Sequence, residues 1–147
     1  MPKVDRKLIS KKLDIVADLK KIIKPENVLG HEDEIRPFET DALSAYKQKA
    51  LVVVFPEDTK EVSKILSYCN EKRIKVVPRG AGTGLSGGAL PLKDGILLCL
   101  GKFNKIINID YKNRCVVAQS GVTNLSITKA VEGKGFYYAP DPSSQIA

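Results

Sequence analysis

Along the first two dozen residues, Leu8, Ile9, Leu13, Val16, Leu19, Ile22 and Ile23 recur at helical spacing, while Lys7, Lys11, Lys12, Lys20 and Lys21 fall mostly off that stripe. The pattern predicts one amphipathic helix ending before Pro25. Residues 25 to 50 hold no sustained period and are broken by Pro25, Gly30 and Pro37, so an irregular connection is expected. Leu51 to Phe55 is wholly apolar and stops at Pro56, which suits a strand buried on both faces, as parallel strands are. Asp58 then opens a helix as its N-cap, with Glu61 placed to cap back. Val62, Ile65, Leu66 and Cys69 form its apolar face, and Lys72 and Arg73 close it. Ile74 to Val77, apolar except for Lys75, is a second short run. Residues 51 to 77 therefore read as a β-α-β unit with parallel strands and a right-handed crossover.

Ile96 to Leu100 reads as another buried strand, and Ile106 to Asp110 with Cys115 to Gln119 as a hairpin. Thr123 can cap a helix running to Glu132, with Ile127, Ala130 and Val131 on its apolar face and Gly133 to end it. The last stretch, Phe136 to Ala147, carries Pro140, Asp141, Pro142, Ser143 and Ser144 in succession and then stops without a closing element, an ending expected of a truncated domain. The fold class is α/β with α+β character: a small, mostly parallel sheet flanked by helices. Residues 1–50 supply an N-terminal helix and a connection, and 51–147 the first part of a larger domain.

The chain has 147 residues, 43% of them apolar, enough for a core. Its net charge of +7 is local. Residues 1 to 24 hold eight bases and three acids, so 8 − 3 = +5 of it sits there and a nucleic-acid surface is not indicated. Cys69, Cys99 and Cys115 each lie in an apolar run without C-x-x-C spacing, so buried reduced thiols are expected. His31, the single histidine, has neither metal-ligand spacing nor a partnered serine, so no metal site is expected. No apolar run approaches the roughly 18 residues of a membrane span, and a cytoplasmic location is the default.

The chemistry concentrates in residues 79 to 88, RGAGTGLSGG, which hold five of the 11 glycines. Glycine lets the backbone turn left-handed and removes the side chains that keep a ligand away, so successive amides can converge on one anion. Thr83 and Ser86 add hydroxyl donors and Arg79 a cation. In open α/β sheets ligands bind beyond the carboxyl ends of the strands, where Pro78 to Gly88 must lie. Gly82, Gly84 and Gly87 also satisfy G-x-G-x-x-G, with Asp110 about 23 residues on, so a nicotinamide-dinucleotide domain is an alternative. That fingerprint needs a helix beginning within the motif, and Gly87, Gly88, Pro91 and the Asp94-Gly95 turn leave no room for one. Nor does a Gly-Lys-Ser or Gly-Lys-Thr follow, as a nucleotide-hydrolysing loop requires. A further alternative is a non-enzymatic basic adaptor docking through the N-terminal helix on an anionic membrane or partner.

PRGAGTGLSGGA at 78 to 89 resembles the pyrophosphate loop of the FAD-binding family that includes vanillyl-alcohol oxidase, whose flavin domain is of the PCMH type. FETDALSAYKQKALVVVFPEDTKEV at 38 to 62, VAQSGVTN at 117 to 124 and YAPDPSSQIA at 138 to 147 resemble the branch of that family formed by D-lactate dehydrogenases and the glycolate oxidase subunits akin to them. The resemblance implies the first half of such a domain. FAD would be held at Pro78, Arg79, Gly80, Ala81, Gly82, Thr83, Gly84, Leu85, Ser86, Gly87 and Gly88, with a second flavin loop at Pro140, Asp141, Pro142, Ser143 and Ser144. Where flavin-linked members carry a covalently bonded histidine, the matching position is Thr83, which implies noncovalent FAD. For the parent protein it implies oxidation of glycolate or D-lactate to the 2-oxo acid by hydride transfer to FAD. The fragment alone is expected to be inactive. Association with a partner subunit or with the periphery of the inner membrane stays open, as does oligomeric state. Asp141 and Tyr46 are the polar residues nominated near the flavin edge, with packing or loop capping the expected role of both; no catalytic residue is assigned.

Overall fold

The computed structural model describes residues 3–140 and 145–146. The N-terminal apolar stripe forms not one helix but two, α1 (Arg6–Ser10) and α2 (Lys12–Ile22), separated at Lys11. The Asp5 carboxylate caps α1 by accepting from the Lys7 and Leu8 amides. Ile15, Leu19 and Ile23 are buried, but Leu13 is 83% exposed, contrary to its place in the expected stripe. The reason is rotational: two residues along a helix is about 200° around it, so Leu13 stands opposite Ile15.

The segment expected to be irregular supplies a two-residue strand, β1 (Val28–Leu29), and a short helix, α3 (Glu32–Ile35). Strand β2 (Val52–Val54) is completely buried, and Asp58 caps α4 (Thr59–Lys72) by accepting from the Glu61 amide. The Glu61 side chain caps one residue earlier than expected, accepting from the Glu57 amide at 2.7 Å. On the apolar face of α4, Ile65 and Cys69 are buried while Leu66 is exposed. α4 ends at Arg73, whose left-handed φ of +57° is unusual for a residue with a Cβ. Arg73→Gly is expected to raise the unfolding free energy by about 0.5–1 kcal/mol, as read by urea denaturation, because strain relief exceeds the added chain entropy.

β3 (Lys75–Arg79) and β4 (Gly95–Cys99) complete a sheet in the order β1-β2-β4-β3. β2 and β3 run parallel as expected, yet they are not neighbours: β4 lies between them, paired in parallel with both. β3 is thus an edge strand, which is why Pro78, with no amide to give, is tolerated in it. The β3–β4 connection must recross the sheet, and residues 80–94 do so with no helix. One sheet face, including Val52, Val54, Ile96 and Leu98, packs with Ile15, Leu19, Ile65 and Cys69 of α2 and α4. On the other face Val53, Leu97 and Cys99 pack with Ile35, Phe38 and Ala50, so the segment between α3 and β2 forms a third layer. That layer brings residues 38–46 to the carboxyl end of β3.

The hairpin pairs β5 (Ile106–Asp110) with β6 (Cys115–Ala118), with a register shift between Ile106 and Asn108. Cys69 and Cys99 are buried, but Cys115 is exposed, because it opens a strand only half covered by the rest of the chain. Thr123 caps α5 (Asn124–Val131) as expected, accepting from the Ser126 amide. The helix does not stop at Gly133. It tightens over Glu132–Lys134 and is released by Gly135, at φ +75°, a conformation glycine adopts freely.

Candidate functional site: the glycine loop

The site is built on the carboxyl end of β3. Arg79 is the last paired residue of the strand, opposite Cys99, and its carbonyl accepts from the Leu100 amide at 2.9 Å. The chain then bends through Gly80 to Leu90 without entering any helix. Gly82 and Gly87 take φ of +78° and +73°, the left-handed turns expected of such a loop.

The amides of this loop are unspent. Among the described residues, none from Gly80 to Ala89 donates to a backbone carbonyl. What ties the loop down uses its carbonyls: Ala42 N–H donates to Gly82 O at 2.9 Å, and Leu90 N–H to Gly87 O at 3.2 Å. The Thr83 and Ser86 side chains are exposed. Uncommitted amides in a run with two left-handed glycines are what an anion nest is made from.

Arg79 takes a place the sequence did not foretell. Its Nη1 donates to Thr40 O at 2.7 Å and Ala89 O at 3.4 Å, and the guanidinium lies 5.9 Å from the Phe38 ring centroid. It therefore braces both ends of the loop against residues 38–40. A Cβ on Gly82 would collide with the Arg79 guanidinium, so glycine there makes room for the brace. Gly80, Gly84 and Gly88 are different: a Cβ on any of them meets nothing within 4 Å and would project into open space. Among the described residues no carboxylate pairs with Arg79, so its charge remains available to an anion in the loop. Opposite it, burial pushes the Cys99 thiol up to about 11, against a smaller downward pull from Arg79, so the thiol stays protonated at neutral pH.

The remaining nominated residues are placed less tightly. Tyr46 is exposed, and its amide donates to Leu43 O at 3.3 Å. Pro140 is exposed, and Asp141, Pro142, Ser143 and Ser144 lie outside the described residues. Pro140 borders a cleft of about 900 Å³ between the hairpin and α5, lined in part by Tyr111, Phe136 and Tyr138. The glycine loop lines no part of that cleft. Sequence reasoning missed Asp41, buried beside the loop. Its sole signal was an acidic residue flanked by Thr40 and Ala42 in a stretch without period.

A diphosphate fits these residues: the amides are donors without partners, the glycines leave its approach clear, and one unpaired cation stands behind them. The absence of a helix after Gly87 rules against the Rossmann arrangement that the glycine spacing alone allowed. The chain belongs to the FAD-binding domain family, whose pattern matches residues 50–147. It is 45% identical over all 147 residues to the glycolate oxidase subunit GlcD of Escherichia coli, covering 28% of that protein. It is 38% identical to the D-lactate dehydrogenase of Anaerostipes hadrus, over 86% of this chain and 27% of that one. The structure of p-cresol methylhydroxylase with substrate bound shares the fold, with a TM-score of 0.74 and 23% identity over 90% of this chain and 26% of its own. The chain thus spans a little over a quarter of the length of these relatives.

Proposed function

We propose that this chain carries the diphosphate-binding portion of an FAD-dependent oxidase or dehydrogenase of 2-hydroxy acids, glycolate or D-lactate among them. FAD is held noncovalently, its diphosphate on residues 78 to 88, with residues 140 to 144 as a second flavin contact. The observation that carries this reading is the run of uncommitted amides from Gly80 to Ala89 at the end of a parallel strand, with no helix behind it. Within it, the loop amides bind and orient, Arg79 holds the loop's shape, and Thr83 offers a hydroxyl donor at the position where flavin-linked members carry the bonding histidine. The chemistry FAD supplies when bound is acceptance of a hydride from the hydroxyl-bearing carbon, while a base takes the hydroxyl proton and the 2-oxo acid is left. No residue of this chain is assigned as that base. The names of the relatives, one of them an oxidase subunit, support partner subunits and a small hydroxy-acid substrate. Free thiols at Cys69, Cys99 and Cys115 fit a reducing, cytoplasmic setting, with peripheral attachment to the inner membrane compatible with it.

A titration tests the reading. Flavin fluorescence of FAD is expected to change saturably on adding the protein, and inorganic pyrophosphate to compete. NADH, followed by its own fluorescence, is expected not to bind. Binding of NADH without binding of FAD would reverse the assignment. The adaptor alternative loses its main support because Ile15, Leu19 and Ile23, the apolar stripe it needs, are buried in the core.

A further inference from the structure

Asp41 holds chemistry that the loop alone does not use. It is 6% exposed, and it spends Oδ1 on the Leu43 amide at 2.9 Å. Its other oxygen, Oδ2, is buried and has no hydrogen-bond partner among the described residues. A carboxylate oxygen withdrawn from water and given no donor is costly to keep. Its neighbours on both sides are fastened to the glycine loop. Thr40 O accepts from Arg79 Nη1 at 2.7 Å, Ala42 N–H donates to Gly82 O at 2.9 Å, and Leu43 Cδ2 lies 4.0 Å from where a Cβ on Gly87 would stand. The backbone that carries the orphan oxygen is therefore fastened on both sides to the same site.

Resting on the reading that the loop holds a dinucleotide diphosphate, we infer that Asp41 is a specificity residue: its Oδ2 accepts a hydrogen bond from a sugar hydroxyl flanking that diphosphate. The phosphates themselves are excluded as partners, because they are anionic acceptors that a carboxylate repels. The neutral O–H donors nearest a diphosphate in FAD are those of the adenosine ribose on one side and the ribityl chain on the other. The loop resists little of the shift such a hydroxyl needs to reach a sealed oxygen, since its amides hold no backbone bonds of their own. Asp41 thereby favours a diphosphate that carries sugar hydroxyls over bare pyrophosphate.

Calorimetric titration of the full chain with FAD, ADP, FMN and inorganic pyrophosphate tests this, using wild type, Asp41→Asn and Asp41→Ser. Asn keeps Oδ1 for the Leu43 amide but presents an N–H₂ where Oδ2 stood. Ser keeps a short acceptor for that turn and deletes the second oxygen. Both variants are expected to bind FAD at least about tenfold more weakly, with pyrophosphate affinity within about twofold of wild type. A parallel loss for ADP identifies the ribose hydroxyl, and one for FMN the ribityl hydroxyl. FAD affinity unchanged in both variants overturns the inference. So does an equal loss for pyrophosphate, which would make Asp41 a shaper of the loop only. Wild-type protein that fails to bind FAD at all sinks the underlying reading, and the inference with it. Should Asp41→Asn not fold, as judged by circular dichroism, Asp41→Ser carries the same comparison.

Discussion

Replacing Gly84 by valine should abolish FAD binding while leaving the fold intact, and replacing Gly82 by valine should abolish both loop geometry and binding. The two substitutions look alike in sequence but differ in physics. At Gly84 the φ is ordinary and a Cβ meets nothing within 4 Å, so valine costs the folded chain little and places its methyl groups where the diphosphate must come. At Gly82 the φ is +78°, and a Cβ would collide with the Arg79 guanidinium, so valine forces the backbone out of its left-handed turn and displaces the brace. FAD affinity, read by flavin fluorescence, should fall at least about a hundredfold in both. Circular dichroism melts should separate them: Gly84→Val within about 2 °C of wild type, and Gly82→Val lowered by several degrees. A Gly84→Val protein that binds FAD normally would show that the diphosphate does not approach the loop there.

The largest stability effect should come from the opposite end of the sheet. Asp94, 1% exposed, accepts from Lys75 Nζ at 2.7 Å and from the Asp5 amide at 2.6 Å, pinning the start of the N-terminal helices to the connection that enters β4. Asp94→Ala leaves Lys75 without its counter-charge and cuts that tether. The expected cost is about 3 kcal/mol, the lower end of the range for breaking a buried pair, because the Lys75 side chain is one-third exposed. Burial pushes the Asp94 carboxyl up. The hydrogen bonds from Lys75 and the Asp5 amide and the Lys75 charge together outweigh it and hold the group below the ordinary aspartate range. A carboxylate depressed in the folded state stabilises above its unfolded pKa, and that contribution is lost as pH falls through the folded value. Urea denaturation should therefore show the gap between wild type and Asp94→Asn wide at pH 7 and closing below the ordinary aspartate range. A gap independent of pH would assign the effect to packing alone.

Much of the fold was legible because its strongest signals are local. Leu51 to Phe55 and Ile96 to Leu100 are unbroken apolar runs bounded by Pro56 and by the Asp94-Gly95 turn, and the strands found there, Val52–Val54 and Gly95–Cys99, are fully buried. The helix caps at Asp58 and Thr123 were readable for the same reason: one side chain and one amide three residues on decide them. What escaped depends on distance in the chain. No periodicity reveals that β4 inserts between β2 and β3, or that Val28 and Leu29 form a strand, since two residues carry no period. Leu13 and Cys115 sat in apolar company and are exposed, because which face is covered is settled by the packing partner.

At the site the division is similar. Glycine density announced the loop and its backbone freedom, and the missing helix followed from Gly88, Pro91 and Gly95. That Arg79 turns inward onto Thr40 O and Ala89 O was not legible, because side-chain direction depends on the layer formed by residues 38–46. The same layer hides Asp41, a lone acid whose interest arises from burial.

The most direct measurement is the amide spectrum of isotope-labelled protein during titration with FAD. Shifts should be largest, and exchange with water most strongly slowed, for the backbone N–H groups of Gly80 to Ala89, with inorganic pyrophosphate reproducing the pattern in part. Saturable FAD binding that leaves those amides unmoved would contradict the assignment of the diphosphate to this loop.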